Sequence, residues 1–232
     1  MQRPSKGTLT RTLHGPPLSR RERSPVSRAR SGAALAGAAT AGLLGGALWW
    51  RRNPSPCPYS QRFWVELPHP SITRGRLVEI LDPRPGERML EVGPGTGYYT
   101  LPIARGLGPD GRLDIVDIQE AMLDHTMARA REAGLGTIVV PARADARELP
   151  YPDATFDAAY LCTTLGEIPD VDRALAELRR VVRPGGRLVV GETYLDPHFV
   201  RPGALRASAE RAGLRFDRRS AGVGGYFARF SG

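Results

Sequence analysis

Short apolar runs alternate along this chain with stretches in which apolar residues recur every three or four positions. Met89, Leu90 and Val92, then Leu113–Val116, Thr137–Pro141, Ala158–Cys162 and Leu188–Gly191 have the length and the flanking turn residues of buried strands. Between them fall helical patterns. These are Leu77, Val78, Ile80 and Leu81; Leu101, Ala104 and Leu107; Met122, Met127 and Ala130 within Gln119–Ala133; and Leu175, Leu178 and Val182. Strands separated by helices predict an open α/β fold built on a parallel sheet. The first helix is predicted to be capped by Ser71 and to stop at Asp82-Pro83. The end of the chain differs: a helix around Ala204–Ala212 precedes Leu214–Ser220 and Tyr226–Phe230, two stretches joined by glycines, which reads as a helix plus a hairpin.

The first strand runs into Gly93-Pro94-Gly95-Thr96-Gly97 and then into a helix. Glycines at such a corner let a ligand approach bare backbone, and the first turn of the helix offers it free N–H groups. A nicotinamide fingerprint would space its glycines as G-x-G-x-x-G, whereas here they alternate. Glu91 at the strand end would repel a pyrophosphate and attract a cation. Asp117 ends the second strand 20 residues beyond Gly97, where an open α/β fold places the carboxylate that accepts from ribose hydroxyls. Ile118 and Met122 supply the apolar groups an adenine face needs, and Asp145 stands at the end of the third strand.

Together these residues resemble motif I and its companions in the class I S-adenosylmethionine-dependent methyltransferases. The resemblance implies a doubly wound, Rossmann-like sheet, mostly parallel, whose closing antiparallel strands account for the terminal hairpin. It implies S-adenosyl-L-methionine as cofactor. Glu91, Gly93, Gly95, Gly97 and Tyr98 would wrap its methionine part, Glu91 helping to hold the ammonium. Asp145 would accept from the adenine amino group, with Ala146 and Cys162 completing the site. The segment Asp145–Asp157, with its Leu-Pro and Phe-Asp pairs, and the turn Arg183-Pro184-Gly185-Gly186 are similar to those of quinone-biosynthesis methyltransferases. The resemblance covers residues 71–232. The Asn-Pro-Pro-Tyr signature of amide and adenine methylation is absent after the fourth strand, where Cys162-Thr163-Thr164-Leu165 stands.

Methyl transfer from a sulfonium neutralises charge, so alignment and water exclusion matter more than electrophilic help. If the acceptor carries a proton, Glu167 or His198 is placed to take it. Residues 53–70 are dense in proline and aromatics and read as a linker or lid. From it Tyr59, Trp64 and His69 are candidate substrate contacts. The acceptor implied is a small or lipid-like molecule, such as a quinone, an isoprenoid or a phospholipid headgroup. A nicotinamide oxidoreductase and a non-catalytic S-adenosylmethionine-binding protein are the competing classes.

The net charge of +9 changes this picture little, because residues 1–52 carry all of it and the remainder is neutral. No nucleic-acid partner is expected of a neutral domain. The two cysteines, far apart, indicate neither a disulfide framework nor a metal site. Residues 1–32 read as a disordered basic tail. Residues 33–52, an uncharged Ala/Gly-rich run closed by Trp49-Trp50-Arg51-Arg52, approach the length that spans a bilayer. They read either as a membrane-associated helix or as a dispensable extension. Export is disfavoured, because S-adenosylmethionine is an intracellular metabolite; the expected location is the cytoplasm, with or without a membrane tether. Oligomeric state is left open.

Overall fold

The computed structural model describes residues 53–61, 63 and 70–232. Residues 1–52, and with them the basic tail and the apolar run, lie outside the described residues, as do Trp64 and His69. Seven strands form one sheet: β1 (Arg88–Val92), β2 (Arg112–Asp117), β3 (Val139–Arg143), β4 (Phe156–Cys162), β5 (Val182–Thr193), β6 (Arg215–Gly222) and β7 (Gly225–Ser231). Their order is β3-β2-β1-β4-β5-β7-β6. The first five run parallel, and β7 lies antiparallel between β5 and β6.

Five α-helices cover the two faces: α1 (Arg74–Leu81), α2 (Thr100–Leu107), α3 (Glu120–Glu132), α4 (Val171–Val181) and α5 (Pro202–Arg211). The alternation of β1 shows how. Met89 points to the face where Leu77, Ile103 and Met127 of α1, α2 and α3 form a core with Leu113, Tyr160 and Phe227. Leu90 and Val92 point to the other, where Leu175 and Leu178 of α4 and Leu205 of α5 pack on Leu161, Val190 and Phe230. Leaving β3, the chain returns across β2 and β1 to place β4 on the far side of β1. The strand order therefore reverses between β1 and β4, and ligands of such sheets bind outside the carboxyl ends of the strands at that point.

Four local expectations are corrected. The cap of α1 is Thr73, whose hydroxyl accepts from Arg76 N, while the Ser71 hydroxyl turns to Thr193 Oγ1 at 3.3 Å. The third strand starts at Val139 rather than Thr137, because Thr137 and Ile138 close a turn in which Ile138 N donates to Leu135 O. Val182 is the first residue of β5 and not a part of α4. On α2 the buried positions are Thr100, Ile103, Ala104 and Leu107, with Leu101 only half-buried. The stop of α1 falls at Asp82, in left-handed conformation at φ 53°.

Candidate functional site

Gly93, Gly95 and Gly97 stand at φ 70°, 54° and 79°, a conformation that side chains with a Cβ adopt at a cost. At two of them space is short as well. A Cβ on Gly93 would strike the Thr164 side chain, and one on Gly97 would meet Thr126 Cγ2 at 3.2 Å. The carbonyls of this loop are held from outside. Thr126 Oγ1 donates to Gly95 O at 2.9 Å, an Arg129 guanidinium N–H donates to Thr96 O, and Arg74 Nε donates to Tyr98 O at 2.9 Å. The Arg74 guanidinium also stacks 3.9 Å over the half-buried Tyr98 ring. Helices α1 and α3 thus fix the loop's carbonyls, while the Thr96 hydroxyl is buried and has no partner.

Glu91 lies beneath this loop, 2% exposed, with Oε2 accepting from Thr100 Oγ1 at 2.5 Å. Burial pushes its carboxyl up to about 7. Asp117 ends β2 and accepts from Gln119 N at 2.8 Å; burial raises its pKa too, against two backbone N–H groups that lower it. Ile118 is exposed and Met122 buried beside it in sequence. Asp145 is paired with Arg147 at 2.7 Å, which holds the carboxyl below its ordinary range, and Ala146 is buried. Cys162 is buried at the end of β4, its thiol pushed up by burial and by the charges of Glu91 and Glu192. Both cysteines are free.

Beyond β4 the backbone is held in an unusual conformation. Thr163, a β-branched residue, takes φ 53°, fixed by its N–H on Gly191 O at 2.8 Å and its hydroxyl on Cys162 O at 2.7 Å. A single 3-10 turn, Leu165–Glu167, follows. It packs so closely on the turn after β5 that a Cβ on Gly166 would strike His198 O. Glu167 and His198, the two candidate bases, are therefore brought to one edge. The Glu167 carboxyl is pushed up to about 8, first by burial and then by the charges of Asp196 and Asp117. His198 is buried, and its backbone N–H donates to Asp196 Oδ1 at 2.7 Å.

The segment before the domain crosses this edge. Glu167 Oε2 accepts from Cys57 N at 3.3 Å; Gln119 grips the same segment from below, Nε2 donating to Cys57 O at 2.9 Å and Oε1 accepting from Tyr59 N at 3.2 Å. Tyr59, at the start of a 3-10 turn Tyr59–Gln61, meets His125 Nδ1 through its hydroxyl at 3.4 Å. A role for His125 and Gln119 was not legible in sequence, since their partners lie some sixty residues earlier. Glu192 was legible and missed: like Glu91, Asp117 and Asp145, it is an acid at the carboxyl end of an apolar strand.

Residues 68–199 match the model of the ubiE/COQ5 methyltransferase family. The chain belongs to that family. Among curated relatives, a ubiquinone/menaquinone biosynthesis C-methyltransferase from Teredinibacter turnerae is 40% identical over 115 residues, 50% of this chain and 46% of that protein. A 27-O-demethylrifamycin SV methyltransferase from Amycolatopsis mediterranei is 38% identical over 136 residues, 59% of this chain and 48% of that one. The chain thus spans about half the length of the curated relatives it matches. Among solved structures, a SAM-dependent methyltransferase from Aquifex aeolicus superposes with a TM-score of 0.65 over 75% of this chain and 98% of its own, at 22% identity. The [4+2]-cyclase SpnF superposes at 0.58 over 63% and 57%, at 29% identity.

The ubiE/COQ5 fold and its cofactor, S-adenosylmethionine, agree with the residues present. A left-handed glycine cradle with no room for a Cβ at Gly93, an orphaned buried hydroxyl at Thr96 and a strand-end carboxylate at Asp117 suit a nucleoside joined to a charged amino acid.

Proposed function

We propose that this chain is an S-adenosylmethionine-dependent methyltransferase acting on a small-molecule or lipid-like acceptor. One observation carries the reading: three left-handed glycines, with a Cβ at Gly93 blocked by Thr164 and one at Gly97 crowded by Thr126, set at the point where the strand order reverses. In this reading Glu91, Gly93, Gly95, Gly97 and Tyr98 hold the methionine part of the donor. Asp117 accepts from its ribose, with Ile118 and Met122 against the adenine. Asp145, Ala146 and Cys162 complete the site. When bound, the donor supplies a methyl group on a sulfonium. The chain's own residues align the acceptor and exclude water, with Tyr59, Trp64 and His69 as contacts from the preceding segment. Glu167 or His198 takes the acceptor's proton.

Among the described residues no helix is long and apolar enough to cross a membrane. We assign the enzyme to the cytoplasm, where its donor is made.

Isothermal titration with S-adenosylmethionine and with NADH tests the donor. S-adenosylmethionine should bind, and Asp117→Ala should weaken it by about 1–3 kcal/mol, since ribose hydroxyls would lose a buried partner. Tighter binding of NADH, or unchanged affinity in Asp117→Ala, would remove the reading. A competing reading, donor binding without methyl transfer, draws on the likeness to the [4+2]-cyclase SpnF. Transfer of labelled methyl to an extract separates the two.

A further inference from the structure

The carboxyl ends of β4 and β5 carry three acids with little to balance them. Glu167 follows β4, Glu192 is the second-last residue of β5, and Asp196 lies in the turn after it. Glu192 is 1% exposed. Its Oε2 accepts from Val200 N at 3.2 Å, while its Oε1 is buried with no partner at all. The charges acting on Glu192 are those of Asp196 and Glu167, and Asp196 and Asp117 act in turn on Glu167. Among the described residues, His198 is the cationic side chain whose charge acts on the three, through Asp196. No arginine of α4, α5 or β7 acts on them.

Such an arrangement is costly unless something neutralises it, because like charges in a poorly solvated site repel and an unpaired carboxyl oxygen forfeits its hydrogen bond. Among the described residues no cluster is arranged to hold a metal ion. An anionic or phenolate acceptor would add to the repulsion. A ligand bearing an N–H cation would relieve both deficits, supplying charge to Glu167 and Asp196 and a donor to the orphaned oxygen.

We infer that the acceptor enters as a protonated amine, held by Glu167, Glu192 and Asp196 at the ends of β4 and β5. This rests on the methyltransferase reading above. One carboxylate takes a proton from the ammonium and leaves a neutral amine. The nitrogen lone pair forms the new N–C bond to the methyl, and the C–S pair leaves on sulfur. The product is again an ammonium, paired with a remaining carboxylate.

The test incubates the full chain with methyl-labelled S-adenosylmethionine and a small-molecule cell extract, then separates labelled product by cation exchange at pH 5. Label is expected in the cationic fraction; label in a neutral or anionic product overturns the inference and leaves methyl transfer standing. Absence of any labelled product overturns the methyltransferase reading itself, and this one with it. Glu192→Gln should raise the acceptor KM at least tenfold while binding of S-adenosylmethionine and of its neutral product, S-adenosylhomocysteine, stays within twofold. Weaker binding of S-adenosylmethionine alone would mean that the acids serve the sulfonium, and would overturn the inference. Glu167→Gln provides the same readouts should Glu192→Gln fold poorly; an unchanged KM in both variants also overturns it.

Discussion

The two ends of the sheet treat their carboxylates in opposite ways. At the amino end each buried acid is matched by arginine. Asp114 receives both Arg88 and Arg112, at 2.9 and 2.8 Å. Glu87 receives Arg187 at 2.6 Å, and Asp157 receives Arg183 at 2.7 Å. At the carboxyl end Glu91 and Glu192 are buried and Glu167 is half-buried, without arginine among the described residues, and burial leads the causes that raise each of them. The residue types are the same, so the difference lies in what completes them. The acids at the amino end are neutralised within the chain; at the ligand edge Asp145 is paired with Arg147, while Glu91, Glu167 and Glu192 are left for something that arrives. Perturbed carboxyls gathered in a cleft are a recognised mark of function, though ion networks can perturb them too. Here the network and the perturbation fall on opposite ends.

The largest effect expected from breaking this contrast is at Arg187. The side chain is 6% exposed, binds both oxygens of Glu87, and also donates to Leu81 O and Asp82 O at 2.8 and 3.1 Å. Arg187→Ala would leave the Glu87 carboxylate without its cation, with only the Arg84 N–H on Oε2, and take a donor from two carbonyls at the end of α1. A loss of about 3–5 kcal/mol is expected in urea unfolding, the range for breaking a buried pair from one side. A loss below about 1 kcal/mol would mean that water enters and the amino end is not the closed network described.

The two ends should also titrate in opposite directions. Asp114 and Glu177 are held below their ordinary range by arginine partners, burial of Asp114 notwithstanding. Their stabilisation is present above the unfolded carboxyl pKa and lost as pH falls through the folded one. Glu167 and Glu192, raised to about 8, bind protons more tightly when folded. Their contribution is complete below about 4.5 and is lost as pH rises through about 8. Stability should therefore be greatest near pH 5 and decline on the alkaline side. Glu192→Gln removes one ionisation, so it should gain on the order of 4 kcal/mol over the parent at pH 9, relative to pH 5. Parallel stability–pH curves for the two proteins would show that Glu192 is already neutralised by a partner.

Much of this was legible in sequence, and the reasons can be given. β1 and β4, inside the parallel part, are buried on both faces, so Met89–Val92 and Ala158–Cys162 read as apolar runs. Strand-end acids are legible because the fold reuses that position. Errors arose where an apolar residue serves a different element. Val182 continues the spacing of Leu178 into β5, and Ile138 is buried while in a turn. What no local pattern revealed were contacts across long stretches of chain. Gln119 gripping Cys57 and Arg129 holding Thr96 O depend on the fold itself. Glu192 shows a further limit: its position was readable, but that one of its oxygens has no partner was not.

The smallest expected effect sharpens the contrast by separating pairing from burial. Arg84 and Asp82 also form an ion pair at the amino end of the sheet, at 3.2 Å, but their side chains are 63% and 52% exposed. Water already solvates both ions, salt screens them, and fixing two side chains costs entropy. Arg84→Ala should therefore change unfolding free energy by less than about 1 kcal/mol, and the difference should shrink in 1 M salt. The backbone N–H of Arg84, which donates to Glu87 Oε2 at 2.9 Å, survives the substitution and keeps the turn before β1 in place. If Arg84→Ala cost as much as Arg187→Ala, the amino end would be stabilised by its charge pattern as a whole. A small value beside a large one at Arg187 locates the stabilisation in the buried pair, where losing one partner leaves an ion that water cannot reach.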